Sequence, residues 1–502
     1  MRILSLLLAC CTLVLTGCGD TNSTSSTAGT AAGNTTIVTA AVPGNYPVYN
    51  LDAASPESPD IRVTLKNAPL DGAILVGQFM ERQFGAAETT VDGDAIVIRQ
   101  SDPLPQGHYI LYLKDKRGIQ LLLSEDQTFT VSADMNNPVA TIRVEGSEDN
   151  SLFYEALAYE AGQQDAFNSL STQLQSLTPN TPEYEAVNAQ RLELSDQRTA
   201  FLETLFERAP NSMFTSFKRA GQNPRLKEVR NPDGTMNEQG QVDLYRQEFW
   251  NNVNFGDERL LRTPVINNKL KRYMEELTPQ NAQAIIAAAD DLLERTGYRG
   301  KFYEFFANWI TLKYEPGKTP VMDGEAIYAH MIQNYFTRER AVWSDSMTVF
   351  GLQQRADQMA HSLIGQVGPD ITVPGLDGQG KRLFDSDKEY LAVFMYNPEC
   401  DHCIEQTPKL KALYPSLKNE LDIYAIALDT EDAKWRKFVQ DYGLQDFTNV
   451  YDPTNRSIFK TYYVDNTPEL YLLDKDRVIV AKNLKVNQLA EAIRLDKDKK
   501  SK

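Results

Sequence analysis

The chain has 502 residues, 42% hydrophobic and 24% charged. This is the composition of a folded protein of about three domains, and it argues against a disordered chain or a polytopic membrane protein. With 51 Lys and Arg against 68 Asp and Glu, the net charge of −17 repels phosphate backbones and argues against nucleic acid as a partner. Only five cysteines occur, three of them within the first 18 residues, which excludes a disulfide-stapled scaffold.

Arg2 is the only charge before Asp20, and residues 3–15 form an apolar run broken by Ser5 and Thr12. The run is too short to span a bilayer comfortably and has the form of a signal-peptide core. Leu15-Thr16-Gly17-Cys18 then resembles the lipobox of bacterial lipoproteins, in which the chain is cut before the cysteine and the thiol is acylated. The alternative is a plain secretory signal with a coincidental cysteine. The resemblance implies a signal peptide at 1–17, loss of Cys10 and Cys11, lipidation at Cys18, and a protein anchored to a membrane without spanning it. Residues 18–45 are rich in Ser, Thr, Gly, Ala and Asn and read as a flexible tether.

Residues 46–148 carry a β pattern. Apolar and polar residues alternate in Ile61–Leu65, Tyr109–Leu113 and Thr128–Ser132, and in part in Ala95–Ile98. Turn signals at Asp92-Gly93, Pro105–Gly107 and Lys114–Gly118 separate them, which predicts an antiparallel, sandwich-like domain. His108, at the head of a strand, is expected to be structural or exposed rather than catalytic.

Residues 149–360 read as an all-α domain, opened by N-cap chemistry in Gly146–Asn150. Helices are predicted from Glu183 to Ala209, stopped by Pro210, and from Asn281 to Arg295, stopped before Gly297. Phe302, Phe305, Phe306 and Trp309 share one helix face; core packing is favoured over a cofactor-stacking surface. Asp290 and Asp291 point about 100° apart on a helix, so they cannot converge on one ion, and they are expected to lie on a solvated face.

From residue 361 to 502 strands and helices alternate. Leu391–Tyr396 is a continuous apolar run, as in a central strand covered on both faces. A helix at 400–417, a strand at 421–428, a helix at 431–442, a strand at 449–451 and a short helix at 455–463 follow. A hairpin of 470–473 with 478–480 and a last helix at 486–495 complete an α/β domain with a mixed sheet.

Cys400-Asp401-His402-Cys403 lies between the central strand and a helix. A CxxC pair opening a helix is a thioredoxin-like redox arrangement. The unpaired N–H groups and partial positive charge of the helix start stabilise a thiolate at Cys400, the attacking form. Cys403, one turn on, is placed to resolve a mixed disulfide. His402 is a further candidate for stabilising the thiolate. A structural disulfide closing so short a loop contributes at most about 2 kcal/mol. A zinc site lacks a second Cys pair, and His108, His330 and His361 are remote in sequence. No metal site is therefore expected. No glycine-rich phosphate or dinucleotide loop is present, so no cofactor is expected either.

Residues 365–502 resemble the exported, membrane-anchored thioredoxin-like thiol–disulfide oxidoreductases of the TlpA/ResA type. Gly365–Asp370 resembles the leading strand of that family, and Pro408 and Leu410 match its first active-site helix. Thr467-Pro468, before the strand at 469–473, resembles its cis-proline loop, which implies substrate binding by Thr467 and Pro468. The whole layout is similar to lipoproteins of Bacteroidetes-type bacteria with a β domain, a helical middle domain and a C-terminal thioredoxin domain. The stretch from Tyr245 to Pro264, with Phe249-Trp250 and Asp257–Pro264, carries the middle part of that resemblance. The resemblance implies catalysis by Cys400 and Cys403 at the cell envelope, facing the periplasm. Its implied partners are thiol- or disulfide-bearing envelope proteins and an upstream membrane electron donor or acceptor.

The chain departs from the pattern in several places. Glu399 stands where the family has Trp, Phe394 where thioredoxin itself has a buried Asp, and Gln406 where the TlpA/ResA type has a helix Glu. Those acids relay protons to the resolving cysteine. Glu399 and Asp401 are expected to oppose the thiolate. Two other readings stay open: a binding module in which the redox domain is secondary, and a peroxide-reducing enzyme on the same fold. No Thr precedes Cys400 at the spacing of a peroxidatic Pro-x-x-x-Thr-x-x-Cys motif, which disfavours the latter.

Overall fold

Alternation is legible at once in the first strand, β1 (Asp60–Lys66), where Ile61, Val63 and Leu65 are buried and the residues between them are not. The structure, a computed structural model, describes residues 57–179, 181–455, 461–464 and 466–501. The expected signal peptide, Cys18 and the tether lie outside the described residues, as does most of the helix expected at 455–463.

Eight more strands follow: β2 (Ile74–Phe79), β3 (Arg82–Ala87), β4 (Thr90–Asp92), β5 (Ala95–Arg99), β6 (Gly107–Tyr112), β7 (Gly118–Leu123), β8 (Thr128–Asp134) and β9 (Arg143–Glu145). They form two sheets, ordered β4-β5-β1-β8-β9 and β3-β2-β6-β7. All pairings are antiparallel except β1 with β8, which run parallel with Ile61 opposite Phe129 and Val63 opposite Val131. No hairpin links these two strands, so no local turn chemistry dictates their direction. The β2–β3 hairpin was not legible in sequence. Its turn rests on Met80 at φ 51°, and most of β3 is exposed.

A short helix α1 (Pro138–Thr141) precedes β9, and the helical region opens at α2 (Glu148–Ser176), whose N-cap Ser147 accepts from the Asn150 N–H. It continues through α3 (Pro182–Arg208), α4 (Met213–Ala220), α5 (Glu238–Glu248), α6 (Pro264–Lys271), α7 (Ala282–Arg295), α8 (Gly300–Lys313), α9 (Gly324–Tyr335) and α10 (Ser346–Met359). The aromatic stripe on α8 is divided. Phe302 and Phe306 are fully buried, while Phe305 packs edge-on against Phe79 of β2 and the Trp309 indole N–H donates to Glu81 at 3.4 Å. Asp290 and Asp291 do not lie on a bare solvated face. Asp290 accepts from Tyr335 and contacts His330, whereas Asp291 accepts from Tyr273 and Arg295. Their divergence on the helix sends them to separate partners. His108 is buried, stacked on Phe217 and bonded through Nε2 to Gln120 at 2.9 Å.

The C-terminal sheet is ordered β14-β13-β12-β15-β16, with β12 (Tyr390–Tyr396), β13 (Leu421–Ala427), β14 (Thr448–Tyr451), β15 (Glu469–Leu473) and β16 (Ile479–Ala481). β12 runs parallel to β13 and antiparallel to β15, which makes the sheet mixed. Helices α11 (Asp401–Leu417), α12 (Asp432–Asp441) and α13 (Leu489–Lys500) accompany it. A small antiparallel pair, β10 (Thr372–Pro374) and β11 (Gly380–Arg382), precedes β12. Residues 365–368 run along β16 without forming a regular strand: Gly365 donates to Ile479, Ile479 to Gln366, and Gly368 to Arg477.

The regions share buried polar contacts and the described residues form one compact unit. Asn150 of α2 is fully buried and bonds both the N–H and the C=O of Leu122 in β7. Lys482, just after β16, donates to the Ser362 carbonyl and lies 3.8 Å from Asp323 and 3.7 Å from Glu325 of the helical region.

Candidate active site

The site grows from the end of a strand covered on both faces. All seven residues of β12 are buried. Phe394 and Tyr396 face one core cluster, which they share with Cys403, Leu410, Trp435 and Phe438, while Val393 and Met395 face the other. After Tyr396 the chain turns on Asn397: its side-chain Oδ1 accepts from the Glu399 N–H at 2.7 Å, and its carbonyl accepts from the Cys400 N–H at 3.1 Å. This turn delivers Cys400 to the N-cap of α11 with extended backbone, φ −86° and ψ 124°.

Both cysteines are free thiols, Cys400 half-buried and Cys403 fully buried. Desolvation, the largest single influence, pushes the Cys400 thiol up. The backbone amides of Cys403 and His402, together with the Cys403 and Thr467 side chains, outweigh it and leave the thiol below its ordinary range. Open N–H groups at a helix start act in this way on an anion. Burial pushes the Cys403 thiol up to about 12, although the Asn397 N–H, 3.4 Å from its sulfur, and the Thr467 side chain work against the shift. One thiol is held below its ordinary range and the other, well above it, keeps its proton.

The ladder between β12 and β15 places Met395 opposite Glu469 and so brings the preceding loop against the cysteines. The Thr467–Pro468 peptide bond is cis. The Cys400 Sγ–H donates to the Thr467 carbonyl at 3.3 Å. Cys400, Cys403, Thr467 and Pro468 are therefore gathered in one place. The His402 side chain is exposed, and what reaches the Cys400 sulfur is its backbone amide.

Three features of the site were not read from the sequence. Lys434 of α12 forms an ion pair with Glu399 at 2.8 Å and offsets the charge expected to oppose the thiolate. Asn397 ties the turn to Asp429 through its side-chain N–H at 3.1 Å. Trp435 stands beside Tyr396 in the core cluster that also contains Cys403. Lys434 and Trp435 are more than thirty residues from the CxxC pair, and nothing in their local pattern signals a role there. Gln406 is half-buried and Glu405 pairs outward with Lys409 at 2.6 Å, so no helix carboxylate takes the place of the absent acid. Among the described residues no group of three or more His, Cys, Asp or Glu side chains could hold a metal ion, and no helix is long and apolar enough to cross a membrane.

Residues 364–482 match the model of the AhpC/TSA family, and residues 227–348 match a domain of unknown function, DUF5106. Solved structures similar to the chain include a thioredoxin-like protein from Bacteroides caccae, at 20% identity over 55% of this chain and 99% of that one, with a TM-score of 0.45. A domain of a possible thiol-disulfide isomerase from Cytophaga hutchinsonii is 31% identical over 28% of this chain and 99% of that one, with a TM-score of 0.27. The thioredoxin domain of a thiol-disulfide oxidoreductase from Bacteroides vulgatus is 25% identical over 26% and 95%, with a TM-score of 0.25. No curated protein matches the chain. Residues 364–482 thus form a thioredoxin-like domain that matches the AhpC/TSA family model.

Proposed function

We propose that the protein is a lipid-anchored thiol–disulfide oxidoreductase of the cell envelope, with Cys400 as nucleophile and Cys403 as resolving thiol. The observation that carries this reading is the asymmetry of the pair: a half-buried Cys400 thiol held below its ordinary range beside a buried Cys403 thiol pushed up to about 12.

In the reducing direction the Cys400 thiolate attacks one sulfur of a client disulfide. A Cys400–client bond forms, the client S–S bond breaks, and the first client sulfur leaves as a thiolate. Cys403 loses its proton and attacks the Cys400 sulfur. The second client sulfur then leaves, and Cys400 and Cys403 are oxidised to a disulfide while the client gains two electrons. A membrane electron donor would restore the dithiol. The reverse steps oxidise client thiols and hand the electrons to an acceptor. Thr467 and Pro468 bound the approach to Cys400 and are the client-binding edge in this reading, and Cys18 carries the lipid.

The test is disulfide exchange by the full chain on a model protein disulfide. Cys400→Ser should abolish exchange, and Cys403→Ser should accumulate the mixed disulfide at Cys400. Exchange that survives Cys400→Ser, or peroxide consumption in place of exchange, overturns the reading. A redox titration gives the direction: a midpoint near about −270 mV marks a reductant and one near about −120 mV an oxidant.

A further inference from the structure

The helical region gathers positive charge where its own carboxylates do not reach. Helix α6 runs without a break into one π-helical turn, Arg272–Leu277, a rare form that recurs at functional sites. Lys269 and Arg272 lie three residues apart on it and are neighbours on its surface. There they meet the aromatic residues at the end of α5. The Lys269 ammonium stands 4.1 Å from the centre of the Phe249 ring. The Arg272 guanidinium stands 5.9 Å from the same ring and 6.0 Å from that of Tyr245. Arg246 of α5 lies 5.9 Å from Tyr273, whose ring is stacked on Phe249. Three cations thus surround one aromatic cluster, and little of them reaches water: Lys269 is 5% exposed, and the side chains of Arg272 and Arg246 are 12% and 18% exposed.

Their partners do not balance this charge. Among the described residues Lys269 has no carboxylate within ion-pair distance; it donates to the Gln222 carbonyl and to Asn223 Oδ1, both neutral, at 3.3 Å each. Asp243 lies 3.9 Å from Arg246 and Glu276 4.0 Å from Arg272, both too far to accept a hydrogen bond and both more than half exposed. Asp291 accepts from Tyr273 but is matched by Arg295. Four buried N–H groups of these residues have no acceptor: Nε of Arg246, Nε of Arg272, the side-chain amide of Gln222 and the indole of Trp250, whose ring is 5.8 Å from the Lys269 ammonium. Buried donors are nearly always paired. The ring faces offset part of the cationic charge but leave those donors open. The want of a counter-charge shows in Lys269, whose ammonium desolvation and Arg272 bring down to about 7.

We propose that this cluster is a binding site for a small doubly charged oxyanion, a phosphate ester or a dicarboxylate, held by Arg246, Lys269 and Arg272 against Phe249 and Tyr245. A guanidinium presents Nε–H and one Nη–H as a planar fork that matches two oxygens of such a group, and a lysine adds a point charge. The bound anion supplies both what the cations lack, a counter-charge, and what the open N–H groups lack, acceptors. The site takes no part in the exchange at Cys400, so the two readings stand or fall separately.

The test is isothermal titration of the full chain with inorganic phosphate and, separately, with succinate, sodium chloride holding the ionic strength constant. Saturable binding of phosphate alone assigns a phosphate ester, and of succinate alone a dicarboxylate. Arg272→Gln should weaken the binding at least about tenfold, the loss expected for one hydrogen bond to a charged group. Lys269→Met should weaken it as much while raising the melting temperature in buffer free of both anions, and it serves as the test should Arg272→Gln fail to fold. No saturable binding of either anion, or binding that both variants leave unchanged, overturns the proposal.

Discussion

At the residue scale, the reactivity of the pair follows from where each sulfur sits. Cys400 faces open amides at a helix start, and Cys403 is sealed in the core. At pH 7, peptide-resolved alkylation of the reduced protein should label Cys400 and spare Cys403; equal labelling would contradict the geometry. The pH dependence of stability has a definite sign. A thiol raised to about 12 in the fold keeps its proton where an unfolded thiol, near about 8.5, has lost it. The unfolded state then binds fewer protons, and the reduced protein loses stability as pH climbs from about 9 toward 12, by at most about 1.4 kcal/mol per pH unit from this group. Glu399 shows how a residue can be read in the right place with an incomplete environment. Its charge beside the thiolate is plain in sequence, but its partner Lys434 is not. Lys434→Ala should slow Cys400 alkylation at neutral pH by about twofold, an effect that fades in 1 M salt because the pair is exposed.

At the element scale, the strand–turn–helix around the cysteines was legible because its signals are local. An apolar run marks β12, a Pro-Glu-Cys turn ends it, and helix formers follow. The β2–β3 hairpin was not, because its strands are held by neighbours: Phe79 by Phe305, and the Met80 N–H by the Leu261 carbonyl. Helix α6 carries a comparable surprise in Lys269, which is buried against Phe249 and Trp250. Desolvation, with Arg272 adding to it, brings its ammonium down to about 7. Between about 7 and 10.4 the unfolded state binds the extra proton, so stability from this group rises with pH through that window and is lost as pH falls toward 7. Lys269→Met should therefore stabilise the protein at pH 7 by about 1–3 kcal/mol and flatten that slope in thermal melts. A melting temperature that falls would show that the bonds of Lys269 to Gln222 and Asn223 outweigh its desolvation.

At the scale of the molecule, the redox region is held to the helical region by buried charge. Lys482 is 1% exposed, and its ammonium sits between Ser362, Asp323 and Glu325. Asp323 also accepts from the Ile364 N–H, and Glu325 from the Asn483 side chain. Removing one partner of such a buried group leaves the other charges uncompensated. Lys482→Met should cost about 3–5 kcal/mol in unfolding, with hydrogen exchange rising first near residues 362–364 and 482–483. An unchanged melt would mean that this cluster does not couple the two regions. The β and helical regions are joined in the same manner by the buried Asp257–Arg259 pair, from which Arg259 reaches Gln106 at 3.3 Å.

The sequence by itself determined the order of β, helical and α/β regions and the strand–turn–helix that carries Cys400 and Cys403, because hydrophobic periodicity, turn residues and a helix start act over a few neighbouring residues. Only the tertiary structure decided which sulfur is sealed, that the ring of His402 points to solvent, that Lys434 answers Glu399, and that Tyr396 and Trp435 share one core cluster with Cys403. It also decided the parallel pairing of β1 with β8 and the burial of Lys482 between two acids. Each of these depends on groups far apart in the chain, and desolvation and pairing exist only once the fold has brought those groups together.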